Sequence, residues 1–279
     1  MFPAILNLTN VNGTLFFTGN DGDMDHELWK SNGTEAGTVR VRDICIGTWG
    51  SFPGNFTNVN GTLFFTANDG TSGFELWKSD GTAAGTVRVR DINPGFPGSS
   101  PNNLININGT LYFTADDGTS GVELWRSDGT EAGTVRLRDI NPGTASSNPT
   151  SLFNANGTLF FLATDANGTE LWKSDGSEAS TVRVRDINPG AGSAFGSFSS
   201  LFRYVNGSLF FTADDGTSGT ELWKSDGTEA GTVLIRDINP GAGSSTPRHL
   251  TNVNGILYFA ANDGSNGYEL WKSDGAESG

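Results

Sequence analysis

Carboxylates and amides recur along this chain at spacings that could do chemistry. Four acidic, glycine-rich turns each precede a glutamate by six residues: Asp69 with Glu75, Asp117 with Glu123, Asp215 with Glu221, and Asp263 with Glu269. Ca2+ takes roughly six to eight oxygen ligands, and acidic turns supply them. A repeated calcium site is therefore one reading, with Ca2+ as the one candidate cofactor. The other is structural, because Asp-Gly is good turn chemistry and a glutamate on a strand can pair with arginines across it. The spacing does not follow an EF-hand loop, and both readings stand at this level.

A second set is an amide two residues before each Asn-Gly pair, at Asn10, Asn58, Asn106, Asn154 and Asn252, with Tyr204 in its place in the fifth copy. Such amides could line a channel and hydrogen-bond a sugar, or they could satisfy backbone groups of the innermost strands. Trp49, in a connector with Phe52, is the expected exposed aromatic and completes the candidate ligand-binding set. Catalysis finds little support. His26, His249 and Cys45 are single departures from the repeat without an evident nucleophile partner, and Arg203 with Tyr204 falls short of a sialidase-type cluster. The chain is expected not to be an enzyme.

The elements that must position these residues announce themselves by repetition. Glu-Leu-Trp-Lys-Ser-Asp-Gly, complete at Glu75 to Gly81, recurs six times with its tryptophan at Trp29, Trp77, Trp125, Trp172, Trp223 and Trp271. A period of roughly 20 to 50 residues signals a solenoid, propeller or array in which no unit buries its apolar faces alone. Within the copy from Asn102 to Gly143, four strands are expected. Leu104 to Ile107 ends at the hairpin pair Asn108-Gly109. Thr110 to Ala115 is apolar on both faces. Val122 to Arg126 sets Glu123 and Trp125 opposite Leu124, and Thr134 to Ile140 alternates apolar with basic residues as an outer strand does. The arginines of that fourth strand are expected to reach Glu123 and stack on Trp125.

Four antiparallel strands per unit, six units and two apolar sheet faces predict an all-β, six-bladed β-propeller in one domain over 1–279. Its repeats fall roughly at 8–54, 55–102, 103–150, 151–200, 201–248 and 249–279. A β-helix is the runner-up. The chain stops near Gly279, where a sixth fourth strand would begin, so the sixth blade is expected to be incomplete unless the segment Met1 to Asn7 completes it.

The string Glu-Leu-Trp-Lys-Ser-Asp-Gly-Thr at Glu221 to Thr228 resembles the bacterial family named for its ELWxxDGT repeat. Asn32, Ser177 and Ala276 depart from that pattern in the first, fourth and sixth copies. The resemblance implies a secreted or surface-associated repeat protein of hyalin-like type and carries no catalytic residues with it.

With 31 acidic and 17 basic residues, a formal charge of −14 disfavours a sequence-independent grip on nucleic acid or an anionic membrane. No stretch approaches the roughly 20 apolar residues of a membrane helix, so no membrane insertion is expected. The single Cys45 rules out an intramolecular disulfide. The expectation is a non-catalytic extracellular or cell-surface propeller for binding or scaffolding, a monomer or a fragment of a longer array, with a glycan or surface protein as partner. A multivalent carbohydrate-binding lectin is the first alternative and a glycosidase-like hydrolase the second.

Overall fold

The computed structural model describes residues 5–20, 25–47, 49–196 and 202–276. The chain divides into two compact units, Met1–Asn148 and Pro149–Gly279, each built of three antiparallel sheets. No helix occurs among the described residues.

In the first unit, the first sheet comprises β1 (Leu6–Val11), β2 (Thr14–Gly19), β3 (Glu27–Ser31) and β4 (Val39–Arg42). The second holds β5 (Gly54–Val59), β6 (Thr62–Asn68), β7 (Phe74–Ser79) and β8 (Val87–Arg90). The third holds β9 (Asn102–Ile107), β10 (Thr110–Asp116), β11 (Val122–Ser127) and β12 (Val135–Arg136). In the second unit the fourth sheet is β13 (Thr150–Ala155), β14 (Thr158–Asp165), β15 (Gly168–Ser174) and β16 (Val182–Arg185). The fifth is β17 (Arg203–Val205), β18 (Ser208–Asp214), β19 (Thr220–Ser225) and β20 (Val233–Arg236), and the sixth is β21 (Arg248–Val253), β22 (Ile256–Asn262) and β23 (Tyr268–Ser273). Each sheet lies in chain order, as tight hairpins require.

The Asn-Gly pairs turn as expected. Asn60 and Gly61 have φ of 50° and 85°, the two positive values of a type I′ turn, whose twist matches the strands it joins. One backbone feature was not visible in the sequence. The first strands of five sheets carry an irregularity, with Asn7, Asn55, Asn103, Ser151 and His249 all at φ between 54° and 58°. The side chains of Asn7 and Asn55 use this bend to donate to the carbonyls of Pro53 and Pro101, which lead into the next sheet.

Alternation along the third strand distributes the core. Leu76 of the second sheet packs with Val59, Phe64, Val89 and Ile92 against Leu111, Phe113, Ala115 and Trp125 of the third. Trp77 faces the other way, into Val11, Phe16, Leu28, Val41 and Ile44 of the first sheet. The second unit repeats this: Val205, Phe210, Leu222, Ile235 and Ile238 meet Leu250, Leu257, Phe259 and Ala261, with Trp271 packed alongside. Trp77, Trp125, Trp172 and Trp223 are buried, whereas Trp29 and Trp271 are half-buried. The tryptophans are core, as their repetition suggested.

The fourth strands are shorter than expected, and β12 keeps only Val135 and Arg136 of the Thr134 to Ile140 run. The register against the third strand slips by one residue at this point in the other sheets, between Leu76 and Trp77 for example. The chain then leaves the ladder to deliver the backbone of Ile92, or Ile140, to a buried glutamate.

Candidate functional site

The repeated glutamate is the most conspicuous polar group of each sheet. Glu27, Glu75, Glu123, Glu170 and Glu221 are completely buried. Glu75 accepts four hydrogen bonds: from the N–H of Ile92 and Asn93, both at 3.2 Å, from the Ser99 N–H at 2.9 Å, and from the Ser99 hydroxyl at 2.6 Å. Glu27 is held likewise by Ile44, Cys45 and Ser51, Glu123 by Ile140 and Ser147, and Glu221 by Ile238 and Ser245. Burial pushes each of these carboxyls above the ordinary glutamate range, and the donors pull it part of the way back. The glutamate thus ties the connector after the fourth strand down onto the third.

The fourth copy departs from this pattern. Ala194 stands where the others have serine, so Glu170 keeps only the N–H groups of Ile187 at 3.0 Å, Asn188 at 3.4 Å and Ala194 at 3.3 Å. With the hydroxyl gone, burial raises its carboxyl to about 7.

Of the candidate metal ligands, Glu75, Glu123 and Glu221 are held by connector donors and do not meet the turn aspartates six residues before them. The aspartates do local work. Asp69 accepts from the N–H of Thr71 and Ser72 and from the Thr71 hydroxyl, and it meets Arg88 at 3.4 Å. Asp117 and Asp215 bind their own turns identically, Asp117 facing Arg136 at 3.5 Å, and Asp263 does so with Ser265 and Asn266. These turn bonds hold all four aspartates below the usual carboxylate range against the opposing effect of desolvation, which is largest for Asp69, Asp117 and Asp215. Glu269 differs from its counterparts in being exposed.

The expected arginine contacts are also corrected. Glu123 pairs with no arginine of its own fourth strand, and the guanidinium above Trp125 is that of Arg90, from the preceding sheet, at 6.0 Å. Arg185 over Trp223 and Arg236 over Trp271, both at 5.9 Å, repeat the arrangement. Arg90 also donates to the Thr134 carbonyl at 2.6 Å, while Lys78 reaches the Gly129 carbonyl at 2.8 Å. Asp80 and Thr82 knit their own turn, and Ser79 bonds Thr86 at 2.8 Å. The Glu-Leu-Trp-Lys-Ser-Asp-Gly-Thr string is therefore a clasp. Glu holds its own connector, Leu and Trp face opposite neighbours, Lys bonds the following sheet's turn, and Ser, Asp and Thr close this one.

The amide set resolves the same way. The Oδ1 atoms of Asn10, Asn58, Asn106, Asn154 and Asn252 accept from the glycine N–H three residues on, at 2.7–3.0 Å. Asn106 also donates to the Asn58 carbonyl at 2.9 Å, and Asn58 to that of Asn10 at 3.4 Å. All five cap their own turns, and Asn58 and Asn106 also staple one sheet to the next. Asn106→Ala is expected to cost about 1–2 kcal/mol, read from urea denaturation, because it removes one acceptor and one donor.

What remains distinctive is what does not repeat. Trp49 is 72% exposed beside exposed Ile46 and half-exposed Phe52, whose ring stacks on His26 at 5.3 Å. Asp25, Glu27 and Asp43 bring carboxylate oxygens within 4.8 Å of one another, a grouping found among the described residues in the first copy alone, where Asp25 stands in place of Gly73 and its counterparts. Arg40 meets Asp25 at 2.9 Å and Asp43 at 3.9 Å, so a guanidinium already serves that cluster. Cys45 is buried, and desolvation followed by the charge of Glu27 pushes its thiol up, away from the reactive thiolate. In the second unit, Tyr204 borders a cleft of about 120 Å³ with Phe160, Lys173, Gly207 and Asp226. No sequence periodicity marked that cleft, because it lies between two sheets; the break of pattern at Tyr204 was its one signal.

No family model and no curated protein matches the chain. Among solved structures, a puromycin hydrolase superposes with a TM-score of 0.52 at 16% identity, covering 99% of this chain and 44% of that one. A puromycin-hydrolysing peptidase of Mycobacterium tuberculosis gives 0.45 at 12% identity over 98% of this chain and 45% of that one, and the tricorn protease 0.39 at 15% over 98% and 26%. The chain thus spans less than half the length of the structures it resembles, and the likeness is one of fold, all-β and propeller-like. The expected binding or scaffolding role, with its lectin and glycosidase alternatives, is corrected on this finding: a structure that shares the fold over 99% of this chain is that of a puromycin hydrolase.

Proposed function

We propose that the six sheets are the blades of one β-propeller and that this propeller is a peptidase-related scaffold, a rigid frame that receives short peptides beside a hydrolytic centre. The observation that carries this reading is the superposition of nearly the whole chain on a minor share of a puromycin hydrolase. Two features of the chain support it. The recurring polar residues are occupied in holding sheets and connectors together, and the lone thiol is suppressed by burial. In this reading the chain frames the reaction and does not supply its nucleophile. The cleft at Tyr204, with Lys173 on its wall, offers a peptide an aromatic face and a cation for its carboxylate.

Binding of unblocked fluorescent tetrapeptides to the 279-residue chain tests this. Saturable binding that weakens about tenfold in Tyr204→Ala, with an unchanged circular dichroism spectrum, is the expected result. No binding at millimolar peptide, or binding indifferent to Tyr204 and Lys173, would overturn the peptide-receiving role. For the blade arrangement, small-angle scattering should give a radius of gyration of about 19 Å, as for any compact chain of this length. An elongated particle would exclude the ring.

A further inference from the structure

The hairpin turns that join first and second strands share one pair, an asparagine followed by glycine, at Asn12, Asn60, Asn108, Asn156, Asn206 and Asn254. All six asparagines are exposed, with φ between 48° and 52°. Such a pair has a chemistry of its own. The backbone nitrogen of the glycine can attack the asparagine Cγ, and the glycine has no side chain to obstruct the approach.

What separates the six turns is the hydrogen bond on that nitrogen. In five of them the glycine N–H donates to the Oδ1 of an asparagine three residues earlier: Gly13 to Asn10 at 2.9 Å, Gly61 to Asn58 and Gly109 to Asn106 at 3.0 Å, Gly157 to Asn154 at 2.7 Å and Gly255 to Asn252 at 2.9 Å. In the fifth turn Tyr204 holds the capping position, and among the described residues no acceptor meets the Gly207 N–H. Asn206 and Gly207 are both exposed, so water reaches the nitrogen. The Asn206 Nδ2 donates to the Gly255 carbonyl of the next sheet at 2.9 Å.

We propose that Asn206 is a deamidation site, set apart from the other hairpin asparagines by the unguarded nitrogen of Gly207. That nitrogen forms a bond to the Asn206 Cγ as the Cγ–Nδ2 bond breaks, and Nδ2 leaves as ammonia with the proton given up by Gly207. The cyclic imide then takes up one water at either carbonyl, yielding aspartate or isoaspartate. Both products exchange the Nδ2 donor for a carboxylate oxygen, which meets the Gly255 carbonyl as acceptor against acceptor, so a link between the fifth and sixth sheets is lost. Isoaspartate also lengthens the backbone of a two-residue turn that fixes the register of β17 on β18.

Ageing the folded chain at mildly alkaline pH, followed by peptide mapping with mass spectrometry and isoaspartate detection, tests this. Asn206 should convert about fivefold faster than Asn60 or Asn108, the factor expected for a nitrogen that need not first leave one ordinary hydrogen bond. Tyr204→Asn should restore the cap and slow Asn206 to the rate of the other turns. Asn106→Ala should do the reverse at Asn108 and leave Asn206 unchanged. In concentrated urea the six should convert at similar rates, because the caps exist only in the fold. Equal rates at Asn206 and Asn60 in the folded chain, a rate at Asn206 that Tyr204→Asn fails to lower, or a difference that persists in urea would overturn the assignment. None of these readouts depends on whether the cleft that Gly207 borders receives peptides.

Discussion

Glu123→Leu should lower the unfolding free energy by about 3–5 kcal/mol, the range for removing one partner from a buried charged network. The side chain is fully buried and accepts from Ile140 N–H at 3.1 Å, Ser147 N–H at 2.9 Å and the Ser147 hydroxyl at 2.6 Å. Leucine fills the volume yet leaves those donors sealed away from water without an acceptor. Glu123→Gln should be milder, at about 2 kcal/mol, because its amide nitrogen meets an N–H donor with which it cannot pair, while the Ser147 hydroxyl can turn to accept from it. Guanidinium denaturation of the two variants checks this. A loss under 1 kcal/mol for Glu123→Leu would mean that the connector is held by something other than this carboxylate. The same substitution at Glu269 should cost almost nothing, since that residue is exposed.

Ala194→Ser is expected to stabilise the protein at neutral pH and to change how its stability depends on pH. Glu170 has a folded-state value of about 7 against 4.5 for the free side chain. A raised carboxyl binds its proton more tightly in the folded state, so its contribution is fully present below 4.5 and is lost as pH rises through about 7. The loss over that window is on the order of 3 kcal/mol. A serine hydroxyl at residue 194 would donate to the Glu170 carboxylate as Ser147 does to Glu123, lower its folded-state value and flatten the slope. The other four buried glutamates, also raised, add to the same slope. The turn aspartates act oppositely. Asp69, Asp117 and Asp215 are depressed below 3.8, so their contribution is present above that value and lost as pH falls through their folded-state values. Maximum stability is therefore expected between the two limbs, at about pH 4–5, and thermal midpoints taken from pH 3 to 8 should show it. An optimum at or above pH 7 in the parent chain, or parallel profiles for parent and Ala194→Ser, would contradict this account.

Much of the fold was legible because it is local. Asn-Gly forces two positive φ values wherever it stands, and Leu next to Trp on a strand must face opposite ways. Six copies of both predict six hairpin-built sheets whose faces cover one another. The polar residues were harder to read because a carboxylate has the same composition whether it meets a cation, an arginine or a backbone N–H. Glu75 lies only six residues from Asp69 in sequence, yet its donors come from Ile92, Asn93 and Ser99. Such a contact depends on where the connector returns after the fourth strand. The error over Arg90 has a similar origin: alternation gives the face an arginine occupies, but not that the tryptophan beneath it belongs to the next sheet.

By itself, the sequence determined the period, the strand order within each repeat, the hairpin turns and the face of the third strand on which each repeated tryptophan lies, all of which follow from φ preferences and the two-residue alternation of side chains. Tertiary structure alone decided the partners of the glutamates, arginines, lysines and amides, since each bond joins groups that come together only when one sheet packs on another or a connector folds back. It also decided which copies are exceptional. Ala194 is a small change in the string but removes a buried donor, and Leu270 repeats the motif but lies exposed, because burial belongs to the neighbour a residue meets and not to the residue.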